Sequence, residues 1–258
     1  MVDGSIPTDR PMTPPPNNFY GSLAAHQSAM IVIVIATGYA VRHWGVKVNY
    51  TRKINHFALM ITPFLLAPVL PYRADAMTAF LTLVSFLATT SMFAAPIRRR
   101  FPLADLAFAG VDRPEDRPYS LRWTLTQAVA SFAMLIVVFW GLEYVGHPEL
   151  VAIPLLVTGI GDGLAEPVGV RFGRHRYRVP SLARNRRYTR SLEGSAVVFI
   201  VAVIVCVAAS AELSPLRAVA LITAAPIALT LAEVISPHTW DAPLMYAVGG
   251  GVAIAVAV

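Results

Sequence analysis

Eight apolar stretches divide the chain, each bounded by charged or turn-forming residues. They cover residues 23–41, 54–70, 76–97, 123–144, 150–170, 195–211, 216–235 and 243–258. Most are close to the ~20 residues that an α-helix needs to cross a bilayer. None alternates polar and apolar positions as a membrane-spanning strand does. Every backbone group in a bilayer must be satisfied within its own segment, so the pattern predicts an all-α, polytopic helical bundle. The eighth stretch is short and ends with the chain, so seven spans are allowed beside eight. Residues 1–19 contain five prolines and no apolar run. They are expected to form a disordered tail ahead of one membrane-embedded domain, residues 20–258.

Composition sharpens this picture. The chain is 56% hydrophobic and 14% charged, against about 25% charged for an ordinary soluble protein. The formal net charge of +6 is almost all arginine, and its placement is informative. The links after the first, third and fifth stretches hold four, six and eight Lys/Arg, which is 18 of the 21 in the chain. Those after the second, fourth and sixth hold one, none and one. By the positive-inside rule the basic links face the cytoplasm and the N-terminus lies outside. The charge is therefore first a signal of topology, and no nucleic-acid partner is expected. The single cysteine, Cys206, excludes an intrachain disulfide and a cysteine-based zinc site.

The candidate chemistry gathers at one end of the predicted bundle. His56, Asp162, Glu166, Glu193, Glu233, His238 and Asp241 all fall toward the cytoplasmic ends of spans, and ionisable groups there are functional candidates. Asp162 and Glu166 are four residues apart, on one face of a helix. Gly161 and Gly163 flank Asp162 and allow close approach, and Pro167 is expected to kink or break the helix just beyond Glu166. Mg²⁺ is usually held by one or two carboxylates together with substrate phosphates. The segment that follows carries Arg171, Arg174, Arg176, Arg178, Arg184, Arg186, Arg187 and Arg190, and guanidinium forks suit phosphate oxygens. A positive-inside loop needs no ligand, so the arginines before Arg190 carry little chemical information. Arg52, Lys53 and His56 can share one helix face, with His56 as a base or phosphate ligand. The acids Asp105, Asp112, Glu115 and Asp116 are expected only to balance the charge of their loop.

Several of these pieces resemble a known family. They are Gly161-Asp162-Gly163-Leu164-Ala165-Glu166, Val168-Gly169, Arg171-Phe172-Gly173 and Arg190-Ser191-Leu192-Glu193-Gly194-Ser195. Together they resemble the phytol kinase, dolichol kinase and CTP-dependent diacylglycerol kinase family. Arg52-Lys53-x-x-His56 and Glu233-x-x-Ser236-Pro237 with Asp241 fit its early and late motifs. The resemblance implies an integral membrane kinase that moves the γ-phosphoryl of CTP onto a lipid alcohol at the cytoplasmic face, with a divalent metal. It implies Asp162, Glu166 and Glu193 as Mg²⁺ ligands, and His56, Asp162, Glu193 and Asp241 as catalytic residues. Nucleotide contacts would come from Arg52, Lys53, Gly161, Gly163, Gly169, Arg171, Gly173, Arg190, Ser191 and Gly194. The family usually has lysine where Arg190 stands and asparagine where Ala242 stands. An isoprenoid alcohol such as phytol, geranylgeraniol or a polyprenol is the expected acceptor. A cytidylyltransferase acting on a lipid phosphate, and a transporter, remain as alternatives.

Overall fold

A computed structural model describes residues 17–72, 75–181 and 188–258. Residues 1–16 of the expected tail, together with Arg73, Arg184, Arg186 and Arg187, lie outside the described residues. Each apolar stretch is mainly helical, and all but the third fall on a single run of helix. The first half of the chain forms α1 (Asn17–Trp44), α2 (Val48–Leu66), α3 (Ala76–Ser91), α4 (Ala95–Arg100) and α5 (Pro102–Ala109). The second half opens with α6 (Ser120–Tyr144) and continues as one 25-residue helix, Pro148–Phe172. That helix contains α7 (Ala152–Leu156), a π-helical turn (Val157–Asp162) and α8 (Gly163–Phe172). The chain ends with α9 (Leu192–Ala209), α10 (Pro215–Ile235) and α11 (Asp241–Ala257). Five of these helices are long and apolar enough to cross a membrane, with shorter apolar helices beside them. The molecule is an all-α membrane bundle.

Local chemistry sets several boundaries. Asp75 caps α3 by accepting from the Thr78 amide at 2.8 Å, while the Thr78 hydroxyl accepts from the Asp75 amide. The third apolar stretch, expected to be continuous over 76–97, stops at Ser91 and turns through Met92–Ala94. Pro96 at the start of α4 cannot supply the N–H that would carry α3 onward. Pro167 does not break its helix as expected, since α8 runs on to Phe172. The irregularity lies earlier, in the glycine-containing π turn. The arginine-rich segment also has structure that its composition hides. Strands β1 (Arg176–Val179) and β2 (Tyr188–Ser191) pair antiparallel, with Tyr177 opposite Arg190.

The tightly packed core belongs to the second half. Leu142, Leu150, Ile153, Val157, Val198, Ala202, Cys206, Leu221, Leu229 and Met245 are buried against one another. In the first half, α1 and α5 approach so closely that a Cβ at Gly38 would overlap the Leu106 carbonyl. The Thr51 hydroxyl of α2 donates to the Gly110 carbonyl at 2.7 Å and completes that unit. Where α8 meets α9, a Cβ at Gly194 would stand 2.7 Å from the Ala165 carbonyl oxygen. Backbone cannot yield there as a flexible side chain could, so glycine is what lets the two helices meet beside the site.

Candidate active-site cleft

One stripe of α2 supplies a wall of the site. Asn49, Arg52, Lys53 and His56 follow the i, i+3, i+4, i+7 spacing of a single helix face. This stripe docks on the π turn and the first turns of α8. Lys53 Nζ donates to the Asp162 carbonyl at 3.0 Å and lies 3.5 Å from a carboxylate oxygen of both Asp162 and Glu166. The Gly159 carbonyl can only accept, so the 2.9 Å contact with His56 places a proton on Nε2. In the neutral ring, Nδ1 then keeps the lone pair. Glu166 also accepts from Asn49 at 2.9 Å and from Arg113 at 3.2 Å, and Arg52 stands 3.9 Å away. Three cations thus surround this carboxylate. Arg52 Nη1, by contrast, has no hydrogen-bond partner among the described residues.

The opposite wall is built by the hairpin and the ends of α9, α10 and α11. Alternation along β2 turns Arg190 inward, beside Tyr177 of β1. Arg190 donates to the Glu233 carbonyl, to Ser236 Oγ at 2.9 Å and to Asp241 Oδ2 at 3.2 Å. Burial works against its charge, yet Asp241 and Glu233 outweigh that and hold it above its ordinary value. Ser195 donates to Glu233 at 2.7 Å and lies 2.7 Å from the Tyr177 hydroxyl. Ser191 caps α9 by accepting from the Gly194 amide at 3.1 Å.

A third group closes the rim. Arg113 donates to Asp116 at 2.7 Å and to His238 Nε2 at 2.9 Å. His238 Nε2 is also 3.2 Å from Asp116, and one ring nitrogen cannot accept from Arg113 and donate to Asp116 at once. Burial lowers the His238 pKa, and Nε2 serves one of these two partners at a time. The ring stacks on Tyr188 with centroids 3.5 Å apart, and Trp123 stands edge-on to both. For Asp116, burial pushes the carboxyl up, but His238, Arg113 and Arg52 outweigh it and hold it at about 2. A depressed acid stabilises the fold fully above its unfolded value of 3.8, and that contribution is lost as pH falls toward 2. Asp116→Asn should therefore flatten the stability profile between pH 4 and 2, read as melting temperature against pH in detergent. An unchanged slope would mean the pairing contributes nothing to acid sensitivity.

Together these walls enclose a cleft of about 850 Å³ at one end of the bundle. It brings together Arg52, Lys53, His56, Asp162, Glu166, Gly169, Arg190, Ser191, Gly194 and Asp241. Other candidates lie elsewhere. Glu193 accepts from the His175 amide and contacts its ring at 2.9 Å, bordering a separate depression with Arg171 and Gly173. Gly161 and Gly163 pack against Val198 and Phe57. Asp105 does balance loop charge, being half-exposed and paired with Arg42 and Arg98. Asp112 and Asp116, which were expected to do the same, are buried. Asp112 is held by Arg117 and Ser120, and Asp116 forms part of the rim. Asn49 completes the α2 stripe and was open to detection by its spacing. Arg113 was not, because its partners lie 53 and 125 residues away.

Among the described residues, no three His, Cys, Asp or Glu side chains converge as a metal cage. Asp162 and Asp241, each with one basic partner in Lys53 and Arg190, offer carboxylates to an ion that arrives on phosphates. Both line the same cleft. Glu166 is already surrounded by cations. This donor set fits Mg²⁺, which keeps several waters and needs only one or two protein carboxylates.

No protein-family model matches the chain, and no solved structure matches it. A phytol kinase from Synechocystis sp. is 32% identical over 110 residues. That stretch is 43% of this chain and 43% of the relative, so the chain spans less than half the length of the protein it matches. The similarity joins a partial sequence match to a polytopic membrane bundle with a charged cleft at one end.

Proposed function

We propose that the protein is an integral membrane lipid-alcohol kinase. It moves the γ-phosphoryl of a nucleoside triphosphate, CTP by the family resemblance, onto an isoprenoid alcohol such as phytol, geranylgeraniol or a polyprenol. The observation that carries this reading is the meeting of Asp162 and Asp241 with Arg52, Lys53 and Arg190 in one cleft. Phosphoryl transfer asks for positioning and charge neutralisation more than for covalent chemistry, and this set offers both. The partial match to a phytol kinase supports the same class. The positive-inside distribution supports a cleft at the cytoplasmic face, where nucleotides are.

Arg52, whose Nη1 makes no hydrogen bond among the described residues, binds phosphate oxygens with Lys53 and Arg190. Asp162 and Asp241 would hold Mg²⁺, which when bound offsets the charge on the phosphates. Glu166 fixes the orientation of Lys53, Arg52 and Arg113. His56 Nδ1 takes the alcohol proton as the alcohol oxygen bonds the γ-phosphorus. The bond from that phosphorus to the bridging oxygen breaks, and the nucleoside diphosphate leaves.

The test is a micelle assay with γ-labelled CTP, Mg²⁺ and a panel of phytol, geranylgeraniol, undecaprenol and diacylglycerol. Label in an organic-soluble product is expected, with an isoprenoid alcohol as the best acceptor. Label that reaches lipid only from α-labelled CTP and phosphatidate would overturn the kinase in favour of a cytidylyltransferase.

A further inference from the structure

The cleft reaches deeper than most of its charged groups. At 1.5 Å per residue, Lys53, Asp241 and Glu233 stand within about 8 Å of the helix ends that form the mouth. Three groups stand deeper. His56 is about 12 Å along α2, Asp162 about 15 Å from the end of α8, and Gln127 about 10 Å along α6. All three line the cleft. Beyond each of them the helix turns apolar: Phe57 to Leu66 on α2, Val157 to Ile160 before Asp162, and Ala128 to Trp140 on α6, with few polar breaks. These positions mark where a polar chamber gives way to a lipid-like one.

Gln127 differs from the other two. Among the described residues nothing hydrogen-bonds its amide. It carries one acceptor and two donor hydrogens and no charge, which matches a hydroxyl group. A phosphate would settle instead on the arginines and Lys53. A water-borne nucleotide enters from the mouth, whereas the hydroxyl of a membrane lipid arrives from the apolar side.

We infer that Gln127 binds the hydroxyl of the lipid alcohol at the inner end of the cleft. This rests on the kinase reading above. Its Nε2 donates to the hydroxyl oxygen and leaves the O–H proton free for His56. Gln127 is thus an acceptor-binding residue, and the substrate class it selects is a single-hydroxyl lipid whose chain stays in the bilayer.

The experiment uses the full-length protein in detergent with γ-labelled CTP and the best acceptor of the panel. Gln127→Leu is expected to raise the KM for the alcohol about tenfold, the scale of one hydrogen bond, with the KM for CTP within about twofold of wild type. Gln127→Asn, which keeps the amide, should fall between. It also serves as the readout if the leucine variant does not fold, as judged by its melting temperature. A rise in the KM for CTP in place of that for the alcohol would make Gln127 a nucleotide contact and overturn the inference. Unchanged constants would also overturn it. Wild-type protein that labels no lipid would overturn the kinase reading and this inference with it, whereas active wild type with unaltered variants overturns the inference alone.

Discussion

Asp162→Asn is expected to slow phosphoryl transfer by at least about a hundredfold, the scale at which one preorganised electrostatic contact counts. Asparagine keeps the shape and removes only the charge. The fold should survive, because Lys53 still donates to the residue 162 carbonyl and still faces Glu166. What is lost is one of the two carboxylates available to a metal on the triphosphate. The measurement is the initial rate of label transfer at saturating CTP and alcohol, beside a melting curve in detergent. A variant that melts like wild type and works within about tenfold of it would remove Asp162 from the chemistry.

Glu166→Gln should have the largest effect on stability. Its carboxylate is the shared partner of Lys53, Arg113 and, at longer range, Arg52. Neutralising it removes the charge shared by three cations in a largely enclosed space, although an amide oxygen can still accept from Asn49 and Arg113, which meet the same carboxylate oxygen. Removing one partner of a buried pair costs about 3–5 kcal/mol. A clear fall in melting temperature is expected, with activity falling as Arg52 and Lys53 lose their orientation. Glu166→Asp should recover part of both. If Glu166→Gln melts at the wild-type temperature, the cations are compensated by other groups and the carboxylate is dispensable.

Much of the fold is legible in the sequence because hydropathy is a local signal. Each apolar stretch becomes mainly helical, and the short charged links decide which ends gather. The break at Met92–Ala94 is weaker in the text, since Pro96 sits in a run that otherwise stays apolar. The hairpin is hidden because two four-residue strands rich in arginine carry no alternation strong enough to read. Within the cleft, Arg52, Lys53 and His56 are legible for the same reason as the helices: they repeat at helical spacing. Arg113 and Asp116 are not, because the bonds that tie their local pair to the cleft reach distant segments, to Glu166 and to His238. Glu193 shows the converse. It lies three residues from Arg190 in sequence, but Ser191 ends the strand and starts α9, and the turn between them sends its carboxylate to His175.

The aromatic rim carries an optical consequence. Trp123 lies 6.0 Å from the His238 ring and 6.4 Å from that of Tyr188, at the edge of the cleft. Indole emission is sensitive to a charged neighbour and to the polarity around it, and His238 lies on the cleft wall. The molecule therefore contains its own fluorophore at the mouth through which nucleotide would pass. Filling that mouth becomes visible as a change in the light it emits, with no label added.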